Sequence, residues 1–144
     1  MVNWGKAATG AFLCLAALAG TAHAKDATGV WLTESKKAHV QIYECGSKLC
    51  GKIVWLKEPN DENGDPKLDG ENSDEAKRSA PLLGSSMISG MVKASSNLWN
   101  DGEIYNAEDG KTYSSKMQLE DDKTLKVSGC VFIFCKNQTW IRIQ

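Results

Sequence analysis

Two cysteine pairs of equal spacing stand out in the chain, Cys45 and Cys50 in "CGSKLC" and Cys130 and Cys135 in "CVFIFC". Four sulfurs can hold a metal, cycle as a redox centre or crosslink a fold. Zinc favours short C-x2-C knuckles or histidine partners, and His39 is the only histidine in the same part of the chain. Thioredoxin-type chemistry uses C-x-x-C at a helix start, whereas these C-x4-C pairs border apolar, β-branched runs. Disulfides are the natural use of an even set of cysteines in an oxidising compartment.

The N-terminus supplies that compartment. "MVNWGKAATGAFLCLAALAGTAHA" has one cation, Lys6, an apolar stretch over 7–20, and small residues ending Ala22-His23-Ala24. This is the pattern of a secretory signal peptide with an A-x-A cleavage site. The stretch is shorter than the roughly 20 residues that a spanning helix needs, and no second one follows. Cys14 lies inside the apolar stretch, which argues against a lipid-modified cysteine. The expected organisation is a signal peptide over 1–24 and one domain over 25–144, periplasmic or secreted, with no transmembrane segment. That domain sets the Lys and Arg other than Lys6 against 18 Asp and Glu, without a basic run. It has no electrostatic footprint for nucleic acid.

The elements that must position the cysteines read as strands. "TGVWLTES" and "AHVQIYE" are short strands, and "LCGKIVWLK" places Ile53 and Trp55 on one face, Val54 and Leu56 on the other. A long polar loop follows, with at most a turn of helix near 73–79. "SSMISGMVKA", "GEIYN", "KTYSSKMQLE", "TLKVSGCV" and "QTWIRIQ" complete about eight strands with turn-length links, and Tyr113, Ser115, Met117 and Leu119 alternate cleanly. The expected fold is all-β: a small antiparallel up-and-down β-barrel. In such a barrel the two cysteine turns fall at opposite ends, too far apart to cross-pair within the roughly 7 Å limit on Cα separation. Each pair should close its own four-residue loop, Cys45 with Cys50 and Cys130 with Cys135.

Gly29-Val30-Trp31 in the first strand and Arg142 in the last resemble the G-x-W and C-terminal arginine of lipocalin-like, or calycin, barrels. Physically, first and last strands meet there, Trp31 plugs the barrel base and Arg142 can stack on it while donating to carbonyls. A broader resemblance rests on the ordered series "GVW", "CGSKLCGKIVWL", Asp69 with Asn72, "PLLGSSMISGM", "GEIYNAEDGKTY" and "LKVSGCVFIFC…QTWIR". The chain is similar to the family of small secreted bacterial proteins called domain of unknown function 2147. It departs at Ser79 and at Asn106-Ala107, where the family pattern has an arginine and Asp-Pro. The resemblance implies an exported calycin-like barrel and brings no catalytic residues with it.

Asp61, Asn63, Asp65 and Asp69 mimic positions of a calcium loop, but Pro66 stands where glycine is needed and Asn72 where a glutamate closes the site. A histidine-based nucleophile site would have to be built on His39 alone, and no two carboxylates are singled out for glycoside chemistry. No enzyme, cofactor or metal is expected. What remains is binding of a small apolar or amphipathic ligand in a cavity lined by Trp55, Met87, Ile104, Tyr113 and Met117, with Phe132 and Phe134 at its mouth. The other reading is a periplasmic protein-binding module, an enzyme inhibitor or an envelope assembly factor, that holds its protein partner with the rim loops. An open apolar interior favours the first and a filled one the second, since side chains alone can fill an eight-stranded barrel. The apolar loop "VFIF" is either a functional mouth or core that folds inward.

Overall fold

A computed structural model describes Gly10 and residues 26–144. The expected signal peptide and its cleavage site lie outside the described residues. Eight antiparallel strands, β1 (Gly29–Leu32), β2 (Ala38–Cys45), β3 (Lys48–Leu56), β4 (Ser86–Ser95), β5 (Leu98–Asn106), β6 (Lys111–Asp121), β7 (Thr124–Val131) and β8 (Phe134–Arg142), close into a barrel in chain order. Helix among the described residues is confined to a 3-10 turn, Glu75–Lys77, capped by the Asp74 carboxylate on the Ala76 amide. Period-2 patterning explains the faces: Tyr113, Ser115, Met117 and Leu119 point inward from β6, with exposed Ser114, Lys116 and Gln118 between them.

Closure occurs at one end. β1 meets β8 only through Trp31 opposite Arg142 and Leu32 opposite Ile141. The Arg142 guanidinium lies 4.3 Å from the Trp31 ring centre and donates to the carbonyls of Asp122 (2.5 Å), Thr28 (2.5 Å) and Asp26 (2.7 Å). Trp31 is fully buried, and its Nε1 donates to the Ala27 carbonyl at 2.9 Å. Gly29 has φ +128°, and a Cβ there would sit 2.4 Å from the Gln144 carbonyl oxygen and 2.6 Å from Arg142 Nη1. The glycine is what lets the C-terminus and the arginine close over the first strand.

The disulfides are Cys45–Cys50 and Cys130–Cys135. The loops they span are tighter than the four residues expected from sequence. β2 and β3 are linked by Gly46 and Ser47, and β7 and β8 by Phe132 and Ile133. Cys130 therefore faces Cys135 directly, whereas Cys45 faces Lys48 and reaches Cys50 diagonally, with Cα atoms 5.8 Å apart. The two Cα separations, 5.8 Å and 4.0 Å, both lie under the roughly 7 Å limit for a disulfide. One bridge pins each end of the barrel.

Candidate functional site

The rim opposite the closed end carries the Thr33–Lys37 turn, the long 57–85 loop, the 107–110 turn and the β7–β8 turn. The long loop is folded down rather than splayed. Its Asp69 is buried and accepts from Tyr105 Oη at 2.6 Å and from Asn72 Nδ2 at 2.8 Å, while the Asp69 amide donates to the Ala80 carbonyl. Burial first, and then the hydrogen bond to Asp69, pushes the Tyr105 hydroxyl up to about 12. Gly110 supports the same docking: at φ +70° it lies so close to the Glu71 carbonyl that no side chain fits between them. Tyr113 Oη donates to the Asp109 carboxylate across the neighbouring turn, which raises the tyrosine and lowers the aspartate. The loop carboxylates do not converge. Asp61 Oδ1 accepts from the Asn63 and Asp65 amides, and Asp69 is turned to Tyr105.

The interior is filled in the closed half and across the middle. Trp31, Trp140, Met91 and Met117 are fully buried there with Trp99 beside them, and Ile104 packs against them at 7% exposure. Gly102 shows how tight the fit is, since a Cβ there would lie 2.4 Å from Met91 Sδ. Met117 and Ile104, expected as cavity lining, are packed core. Met87 and Tyr113 are half-buried against that core. Trp55, also expected inside, is on the outer wall: a bulge between His39 and Val40 shifts the register, so that Trp55 faces His39 and stacks on it at 4.2 Å, while Ile53 faces Val40 inside. A bulge inserts one residue and reverses the facing of the residues beyond it, so Ile53 and Trp55 do not share a face. His39 is thereby placed on an outer-wall tryptophan.

Phe132 and Phe134 stand at the rim and are not part of the core cluster. Phe132, Ile133 and Phe134 are 95%, 87% and 77% exposed, and Val131 is half-exposed. Phe132 has φ +53°, in the left-handed region that bulky residues avoid. Below the tip is an open cleft of ≈ 650 Å³ bordered by Ser73, Gly110, Tyr113, Cys130 and Val131. A smaller one of ≈ 300 Å³ opens at the closed end beside Glu44, Lys48, Lys93 and Trp99. The sequence signal for the tip was legible: apolar residues stand where a hairpin turn ordinarily carries Gly, Asn or Asp.

Fold and site together define a closed, eight-stranded lipocalin-like barrel with a packed interior and an apolar hairpin raised above its rim. Residues 29–142 match the family described as "Uncharacterized protein conserved in bacteria (DUF2147)", and the chain belongs to that family. The barrel is similar to a solved structure described as "Protein HP1028 from the human pathogen Helicobacter pylori belongs to the lipocalin family". Sequence identity is 21%, the TM-score is 0.73, and the match covers 83% of this chain and 84% of that one. At that identity the likeness shows the fold. No curated protein matches the chain. Two disulfides fit an extracellular or periplasmic setting, and among the described residues no helix is long and apolar enough to cross a membrane.

Proposed function

We propose that the protein is an exported binding module that engages a protein of the cell envelope through the β7–β8 hairpin. The observation that carries this reading is the exposure of Phe132, Ile133 and Phe134 above an interior already filled by its own side chains. Leaving a large apolar side chain in water forgoes about 1.5–3 kcal/mol of burial. Three consecutive ones on a turn pinned by Cys130–Cys135 form a rigid apolar knob of the kind that marks interaction sites. Compartment enters through the expected signal peptide and the disulfides. Ser73, Lys111, Thr112 and Ser114 border the cleft next to Val131, a polar margin of the kind that interfaces carry around an apolar centre.

The test is retention. The protein is immobilised, washed with envelope extract, and compared with the variant carrying Phe132→Ser and Phe134→Ser. A specific partner held by the parent and lost by a folded double variant supports the reading; a partner held equally by both removes the hairpin from the interface. The open cleft beside Tyr113 and Val131 supports a second reading, a small apolar ligand held at the rim instead of inside the barrel. An apolar fluorescent probe whose uptake depends on Tyr113 while the envelope partner is absent would favour it.

A further inference from the structure

The strand that carries the exposed hairpin also has a free edge. β8 is nine residues long and β1 only four, so β1 covers β8 no higher than Ile141. Val131 and Phe134 flank the two-residue turn and exchange both ladder bonds. By alternation the pairs Gly129 with Lys136 and Val127 with Gln138 do the same, which turns the N–H and C=O of Cys135, Asn137 and Thr139 to the opposite edge. The neighbouring contacts agree: on that side the Thr139 amide donates to Glu34 Oε2 at 3.1 Å and the Ile143 amide to the Val30 carbonyl at 2.7 Å. Above the Glu34 cap, the main-chain groups of Cys135 and Asn137 have no protein partner among the described residues.

We propose that this edge accepts an extended segment of another polypeptide as an added strand, with an acidic side chain opposite Lys136 and an apolar one packed on Phe134. The inference rests on the docking reading above and gives its mode. Donors and acceptors repeating at strand spacing are matched by a polypeptide backbone and by no small apolar ligand. Lys136 is exposed with no acidic partner among the described residues, which leaves a cation in the middle of the free edge. That cation also selects against a second copy of the chain. Two-fold pairing that satisfies Cys135 and Asn137 sets each against the other and places Lys136 directly opposite Lys136 of the second copy, a destabilising like-charge pair. Edge lysines commonly block self-pairing of this kind. A lipid surface has no use for the edge groups, and the same rim carries the exposed carboxylates of Asp61, Glu62, Asp65 and Glu108, which oppose an anionic membrane.

The probe is a short synthetic peptide with Val, Glu and Val alternating with Thr, titrated into the isotope-labelled protein. Binding should slow hydrogen exchange at the Cys135 and Asn137 amides and leave the Lys136 amide, already in the β7 ladder, unchanged. Asn137→Pro removes one outward donor without breaking a bond to β7, a position that tolerates proline on an edge strand. It should weaken the peptide by about two- to tenfold, the effect of one lost main-chain hydrogen bond. The Asn137 side chain also accepts from Ser128 Oγ at 2.5 Å; Asn137→Ser, which keeps the main-chain amide but not that carboxamide, should bind as the parent does and thereby exclude loss of the Ser128 contact as the cause. Lys136→Glu should weaken the Glu peptide by about fivefold and favour a Lys-centred one, as expected for reversing a cross-strand charge pair. An unprotected edge, or variants that bind the peptide as the parent does, would overturn strand addition. So would a parent dimer abolished by Asn137→Pro, or sedimentation with anionic phospholipid vesicles that depends on Phe132 and Phe134. If the edge variants keep the envelope partner while Phe132→Ser with Phe134→Ser loses it, the hairpin reading stands and strand addition falls. If that double variant keeps the partner, the docking reading itself falls.

Discussion

Replacing Phe132 and Phe134 together by serine should cost the fold little. A fully buried phenylalanine contributes at most about 3 kcal/mol in transfer free energy. At 95% and 77% exposure, the two rings have withdrawn only small fractions of their surface from water, about a twentieth and a quarter. The transfer loss is then about 0.1–0.2 kcal/mol for Phe132 and about 0.4–0.7 kcal/mol for Phe134, less than about 1 kcal/mol in total. For a domain of this size 1 kcal/mol moves the melting temperature by roughly 3–6 °C, so the double variant should melt within about that range of the parent. Were the rings core, each truncation would cost about 3–5 kcal/mol, and the pair would consume most of the roughly 5–15 kcal/mol that holds a domain folded. Calorimetry and urea unfolding separate the cases, because the expected variant keeps its m-value and shows only a small fall in midpoint. A fall in melting temperature well beyond ~10 °C would refute the reasoning and return the hairpin to the core.

The closed end should behave in the opposite way. Trp31→Ala removes a fully buried ring and should cost about 3–5 kcal/mol. Arg142→Ala leaves three carbonyls without their charged donor and should cost about 2–4 kcal/mol. Equal melting of parent and both variants would remove the closure role. At the docked loop, the Tyr105 hydroxyl is held at about 12 against roughly 10 in the unfolded chain. Its folded value is raised, so its contribution is fully present below about pH 10 and is lost as pH climbs toward 12. Tyr105→Phe should flatten the alkaline limb of the stability curve over that window and expose the 57–85 loop to protease, and an unchanged alkaline limb would count against the Asp69 clasp.

The eight strands were legible because period-2 alternation is a local property. Inward Val40, Ile42, Met117 and Leu119 must share the core side if any sheet is to bury them. Both disulfide pairs could likewise be read, since each is implied once strands run up and down in order, whereas Gly29, Trp31 and Arg142 were marked by their resemblance to the G-x-W and C-terminal arginine of calycin barrels. Other features depend on register, which a single sequence does not carry. The bulge beside Val40 moves Trp55 from the expected interior onto His39 outside, and nothing in "KIVWL" marks it, because a bulge is fixed by what two strands bury together. The expected cavity depends on volumes arriving from different strands: Met91 fills the space that Gly102 leaves, and together with Trp99, Trp140 and Met117 it occupies the interior. The sequence could name the "VFIF" residues, but it left open whether they point inward or into water. Tertiary structure decided that, because the core is complete without them and β1 is too short to cover the strand that carries them.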